Sequence, residues 1–366
     1  MNIACYTYNN GSPQLSGVVD DFTSFTFERS YSGIGEWQIV IPSYKPNATL
    51  LKEADFIKCG KGIAGLITKI NQVKNETEET LTVSGVELKG IAEKRIVIPP
   101  SGSSHLTYTG TPEEVIQCII ENQITNPSKT NRRISGSIVL DNVGTNTMSY
   151  EGRFSSVSED IITICETYYI GWYADIEDGQ IVWHIYRGLS RGVTQSTNSR
   201  FIISPEYDSI GGSSMEYSIY KVNSVFIAGQ GEGVDRVTKT YNRSTEDTTG
   251  LNRNEVYIDA RDIADESLLQ QRANEKLSEY GTHYVYEIVP SNAYIINNYR
   301  SGYDLGDVGS IKEGDTYSAV RLTSIIEVYE NNQFSLSFTF GYDTNTLEGV
   351  FKRMRSNTEA LISKEA

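Results

Sequence analysis

The sequence predicts a mainly β protein with an α+β insert, built as two barrel-like domains and a middle α+β domain. Three observations carry that expectation. Apolar and polar residues alternate with a period of two near both ends of the chain, as half-buried strands require: Phe25 and Phe27, then Trp37, Ile39 and Ile41, and later Phe334, Leu336, Phe338 and Phe340. Helical spacing is confined to a middle stretch and one later segment. The 366 residues exceed the roughly 250 to 300 at which a single core stops growing, so more than one domain is expected.

Residues 1–95 read as short strands joined by turns such as NNGS and SGIG, with further strands at 63–70 and 80–84, the spacing of a small barrel or sandwich. The stretch IVIPPSGSS, 96–104, marks the first expected boundary. Within 96–200, Thr111, Pro112 and Glu114 supply an N-cap, a first-turn proline and a capping-box acid ahead of Val115, Ile116, Ile119 and Ile120. A second helix starts near Ser156 and carries Val157, Ile161, Ile164, Cys165 and Tyr168 on one face. Residues 172–186 form a hairpin turning at Asp178-Gly179. Strands return over 201–345, around one helix whose Leu269, Ala273, Leu277 and Tyr280 share a stripe, and 346–366 close the chain as a helix. An internal echo links the two strand-rich blocks. Leu66 precedes Gly85 by the same interval as Leu322 precedes Gly341, and LKGIAEKR (88–95) is similar to LEGVFKRM (347–354), so Gly85 and Gly341 are expected in equivalent turns.

Composition narrows function. A net charge of -15, with 47 acidic against 32 basic residues and no Lys/Arg block, argues against tight nucleic-acid binding. The N-terminus MNIACYTYNN has no signal-peptide character, and no long apolar run offers a membrane segment, so the chain is expected to be made in the cytosol. Cys5, Cys59, Cys118 and Cys165 lack CxxC spacing and read as reduced core thiols. His105, His184 and His283 have no partners at metal-ligand spacing, no GxSxG elbow occurs, and GQGEG (229–233) follows a strand without opening a helix. No cofactor, metal or catalytic residue is therefore expected. Two carboxylates across a cleft would suffice for a glycosidase, and the acid count leaves that reading open. Trp172 and Trp183 would serve a carbohydrate-binding groove if exposed, but their strand positions favour core packing. Arg253, Glu255, Asp259, Arg261 and Asp262, just before a helix, point to ordered ion pairs or a subunit contact, against ordinary exposed charges at an acidic helix start.

Four segments in order, FERSYSGIGEWQIVIP (27–42), YRGLSR (186–191), FIAGQGEGVDR (226–236) and GLNRNEVYIDARDI (250–263), resemble those of the siphovirus Gp37-like tail proteins, which are similar to contractile-phage baseplate hubs and the base of type VI secretion spikes. The likeness departs at Ser190, where relatives often place an acid before the arginine. It implies a non-enzymatic tail-hub architecture: a homotrimer whose doubled barrels form a ring of six quasi-equivalent units. Such a hub would join a sixfold tail tube or distal tail protein to a threefold tip spike or fibre, beside the tape measure protein, in a virion or phage-like particle assembled in the bacterial cytoplasm. A receptor- or carbohydrate-binding tail protein and a cell-wall hydrolase are the alternatives.

Overall fold

The computed structural model describes residues 1–341 apart from 75–78, 205, 207–209, 218–221, 245–246, 262, 280–283, 291–292 and 331–332. The expected C-terminal helix at 346–366, the 347–354 half of the echo, Asp262, Tyr280 and His283 lie outside the described residues.

Period-two alternation becomes strands β1 (Ile3–Asn9), β2 (Ser12–Val19), β3 (Ser24–Ser30) and β4 (Glu36–Pro42), followed by helix α1 (Asn47–Glu53), β5 (Phe56–Lys58), β6 (Ala64–Lys74) and β7 (Glu79–Glu87). The α+β stretch holds β8 (Leu106–Gly110), α2 (Pro112–Ile120), β9 (Gly136–Asp141), β10 (Met148–Gly152), α3 (Val157–Tyr168), β11 (Gly171–Glu177) and β12 (Gln180–Tyr186). Then come β13 (Ile202–Ile203), β14 (Ile210–Tyr217), β15 (Ser224–Ala228), β16 (Thr238–Asn242), β17 (Glu255–Asp259), α4 (Glu266–Glu279), β18 (Tyr284–Pro290), α5 (Ala293–Asn298), β19 (Val308–Glu313), β20 (Thr316–Glu330) and β21 (Gln333–Phe340).

The chain forms two compact units, Met1–Ser213 with Ile288–Phe338, and Ser214–Glu287 with the described residues from Thr339 on. In the first unit, strands run in the order β21-β20-β3-β4-β7-β6-β5-β1-β2 within one large sheet. Two apolar cores flank it. One draws Phe25, Phe27, Trp37, Ile39 and Ile41 together with Leu51 of α1. The other joins Phe56, Ala64 and Leu66 to Ile116 of α2, Ile161 of α3 and Trp172 and Trp183 of the β11–β12 hairpin. Residues from 1–95 and 96–200 thus share a core. The proline stretch between them is pinned rather than free: Val97 is buried, donating its N–H to Ser155 O at 2.9 Å and accepting from Phe154 N at 2.8 Å.

The local helix and turn signals formed as the sequence dictates. Thr111 and Glu114 close a reciprocal capping box on α2, with Pro112 in its first turn, and Ser156 caps α3. The β11–β12 hairpin turns at Asp178 (φ 48°) and Gly179 (φ 74°), the left-handed pair such a two-residue turn requires.

Two separate barrels are not what the strands build. β20 pairs antiparallel with β3 from Ser324↔Ser30 to Glu330↔Ser24, so both strand-rich segments enter one sheet, and no closed barrel occurs among the described residues. Gly85 lies inside β7 beneath Trp37, where a Cβ would collide with Leu66 O, whereas Gly341 follows β21 at φ 90°. They are not equivalent turns. Leu66 and Leu322 are nevertheless both buried.

Candidate functional site

In the first unit, two of the four resembling segments converge on a buried polar knot. Arg29, 5% exposed, donates from Nη1 to Asp304 Oδ1 and to Tyr299 Oη, each at 2.7 Å, and the Tyr299 hydroxyl in turn donates a hydrogen bond to Glu327 Oε1 at 2.7 Å. Burial alone would raise the Asp304 carboxyl, but the adjacent Arg29 guanidinium more than reverses this and holds it below the usual carboxylate value. Arg300 completes the cluster on Glu327 Oε1 at 2.7 Å. Tyr31 lies between Gly171 and Gly306, donates to Tyr169 O at 3.0 Å and accepts from Gly188 N at 3.2 Å.

The YRGLSR segment anchors this knot from the other side. Arg187 Nε meets buried Glu113 at 2.5 Å, and Arg191 Nε meets Asp307 at 2.5 Å while Asp307 also accepts from Leu189 N at 2.7 Å. The acid absent at Ser190 is thus supplied from Asp307, far along the chain, and Arg191 is paired. Gly188 abuts the Gly306 carbonyl with no room for a Cβ.

A fully buried lysine lies next to the knot. Lys89 Nζ sits 3.1 Å from Glu87, 2.5 Å from Ser30 O and 3.0 Å from Trp172 O, and Glu87 Oε2 accepts from Gly35 N at 2.8 Å. Burial lowers the Lys89 pKa, with Glu87 opposing. Sequence reasoning missed Arg29, Glu87, Lys89 and Asp304. For Arg29, Glu87 and Lys89 the available signal was charge set among the buried positions of strand-like runs, as in TFERSY and VELKGIA.

The second unit contains the other two segments and the charged residues singled out from sequence. β15 is central in a three-stranded sheet, antiparallel to β16 and parallel to β17. Val225 and Ile227 on one face pack with Leu269, Ala273 and Leu277 of α4. Gly229 to Gly233, with Gly231 at φ 115°, lead through a single 3-10 turn at Gly233–Asp235 into β16, and no α-helix opens here. Arg236, just after it, ion-pairs with Asp259, donates to Ala228 O and Gly229 O at 2.9 Å each, and reaches Tyr257 Oη at 3.2 Å. Arg261 Nε lies 3.2 Å from the other Asp259 oxygen. Arg253 and Glu255 pair at 2.6 Å at the opposite end of β17, with Arg253 also on Thr248 O at 3.1 Å. The structure therefore separates the sequence cluster into two ion-pair groups.

Trp172 and Trp183 stack with centroids 6.1 Å apart and are both buried, which removes them from any exposed groove. His184 stacks on Tyr173 and lies 2.8 Å from Glu177. All four cysteines are free thiols, and burial pushes Cys5 and Cys59 up to about 11. Among the described residues no cluster of three His, Cys, Asp or Glu side chains could hold a metal ion, and no helix is long and apolar enough to cross a membrane.

A family model described as Siphovirus ReqiPepy6 Gp37-like protein matches residues 6–342. No curated protein matches the sequence. Among solved structures, the fold is similar to the 43 kDa tail protein of prophage MuSo2 from Shewanella oneidensis, with a TM-score of 0.58 at 11% identity over 93% of this chain and 98% of that one. It is also similar to a tail protein from Neisseria meningitidis, with a TM-score of 0.53 at 14% identity over 93% and 97%. Prophage tail protein gp18 from Listeria monocytogenes gives a TM-score of 0.54 at 9% identity over 97% and 98%.

Proposed function

The chain belongs to the siphovirus ReqiPepy6 Gp37-like family of phage tail proteins, and from that premise we propose that it is the structural hub of a tail tip. In this reading it assembles as a homotrimer, joins a tail tube or distal tail ring to the tip spike or fibre, and lines part of the central conduit next to the tape measure protein. A threefold assembly bridges sixfold and threefold neighbours with repeated surfaces. An acidic lumen would let DNA pass without adhering.

The observation that carries the reading is the fold, shared across nearly the full length of this chain and of three tail proteins. The chemistry is in keeping with it. Buried Glu87, Glu113, Asp175, Asp307 and Glu327 each accept from a cation or a backbone N–H and so serve as cross-links between segments. A non-enzymatic role follows in this proposal, and the carbohydrate-binding alternative loses the tryptophans that motivated it. Light scattering on the pure protein, with and without tail partners, tests the assembly. A trimer is expected, and a dimer or tetramer that persists with partners would refute it. Turnover of cell-wall polymer that vanishes on replacing one buried carboxylate would establish the hydrolase instead.

A further inference from the structure

The second unit has a built face that its other described residues leave uncovered. The side of the three-stranded sheet turned away from α4 presents Phe226 and Tyr257, which are register partners on β15 and β17 with ring centroids 6.3 Å apart, 42% and 54% exposed. Single exposed aromatics are ordinary, but a neighbouring pair framed by fixed arginines is the composition of an interface centre. Arg236 and Asp259, with Arg261, hold one end of β17, and Arg253 with Glu255 holds the other. Arg236 is already immobilised on two carbonyls, Asp259 and the Tyr257 hydroxyl, so little side-chain freedom remains to be lost on binding.

We propose that this face is a subunit contact and that its occupant is a second copy of this chain. Charge chooses the occupant. The face gathers three arginines against two carboxylates, while the chain as a whole carries 47 acidic against 32 basic residues, so other surfaces of the same chain complement it. The contact is heterologous, this face meeting a different acidic surface on the neighbour, as a closed threefold ring requires. The inference rests on the homotrimer reading and adds where the copies meet.

The test uses the full chain with a benzophenone amino acid at Tyr257, mixed from light and 15N-labelled copies before irradiation. Peptides joining one heavy and one light chain are expected. Phe226→Ala with Tyr257→Ala should weaken self-association by about tenfold or more, and Arg253→Glu with Arg261→Glu should do the same, each variant being compared with the parent by circular dichroism so that lost association is separated from lost folding. Links confined to single chains, including any to residues 342–366, overturn the proposal. So does a trimer of undiminished strength in both variants, an outcome that would leave the homotrimer reading standing. A parent protein that is monomeric with its tail partners present would instead defeat that reading first.

Discussion

Asp304 shows how one side chain ties pH to the fold. Its folded-state pKa lies below the unfolded value because Arg29 stands 2.7 Å away, so the pair contributes stability above the unfolded pKa, near 4, and loses it as pH falls through the folded one. Asp304 is 45% exposed, which weakens the effect through solvent screening. Replacing Asp304→Asn should therefore lower stability at neutral pH and flatten the acid limb of urea midpoints measured from pH 5 to 2. An unchanged acid limb would show that Asp304 does not contribute to it. Lys89 is a harsher case. Glu87→Gln leaves its ammonium buried without a counter-charge and should cost roughly 3–5 kcal/mol. Adding Lys89→Met should restore much of that in denaturant titrations, since the uncompensated charge is then gone. The Arg29–Asp304 pair was not legible in the sequence, because its members are 275 positions apart, whereas Glu87 and Lys89 are near neighbours whose burial the sequence did not announce. Only the chain path brings Arg29 and Asp304 together.

Elements were legible in proportion to how local their causes are. The α2 capping box spans four residues, and the Asp178-Gly179 turn spans two, so composition alone determines both. The pairing of β3 with β20 has no local signature, since alternation tells which face of a strand is buried and not which strand lies beside it. That is why two strand-rich blocks read as two barrels. The same logic separates Gly85 from Gly341. Gly85 is required first by the Leu66 carbonyl of the neighbouring β6 and then by the Trp37 ring, so Gly85→Ala should overpack the sheet and cost about 1–3 kcal/mol. Gly341→Ala should cost less than this, through its positive φ. Equal losses in equilibrium unfolding of the two variants would revive their equivalence.

At the scale of the molecule, the two compact units differ, among the described residues, in how much apolar surface holds them. The first contains two extended cores with Trp37, Trp172 and Trp183, whereas the second rests on Val225, Ile227, Ala260, Ile263 and the α4 stripe of Leu269, Ala273 and Leu277. Small cores leave small net stability once chain entropy is subtracted, so the second unit is expected to open first. Hydrogen exchange should be faster at the amides of β15 and β17 than at those of β4 and β7. Leu269 is fully buried, and Leu269→Ala should remove about 2–5 kcal/mol from its own unit. Calorimetry should then show the lower transition moving down or disappearing while the upper one stays in place. A single transition that shifts as a whole would mean that the units unfold as one cooperative body. In the proposed assembly the distinction would have a mechanical consequence: a unit that opens separately could adjust to a neighbouring subunit while the larger sheet keeps its register.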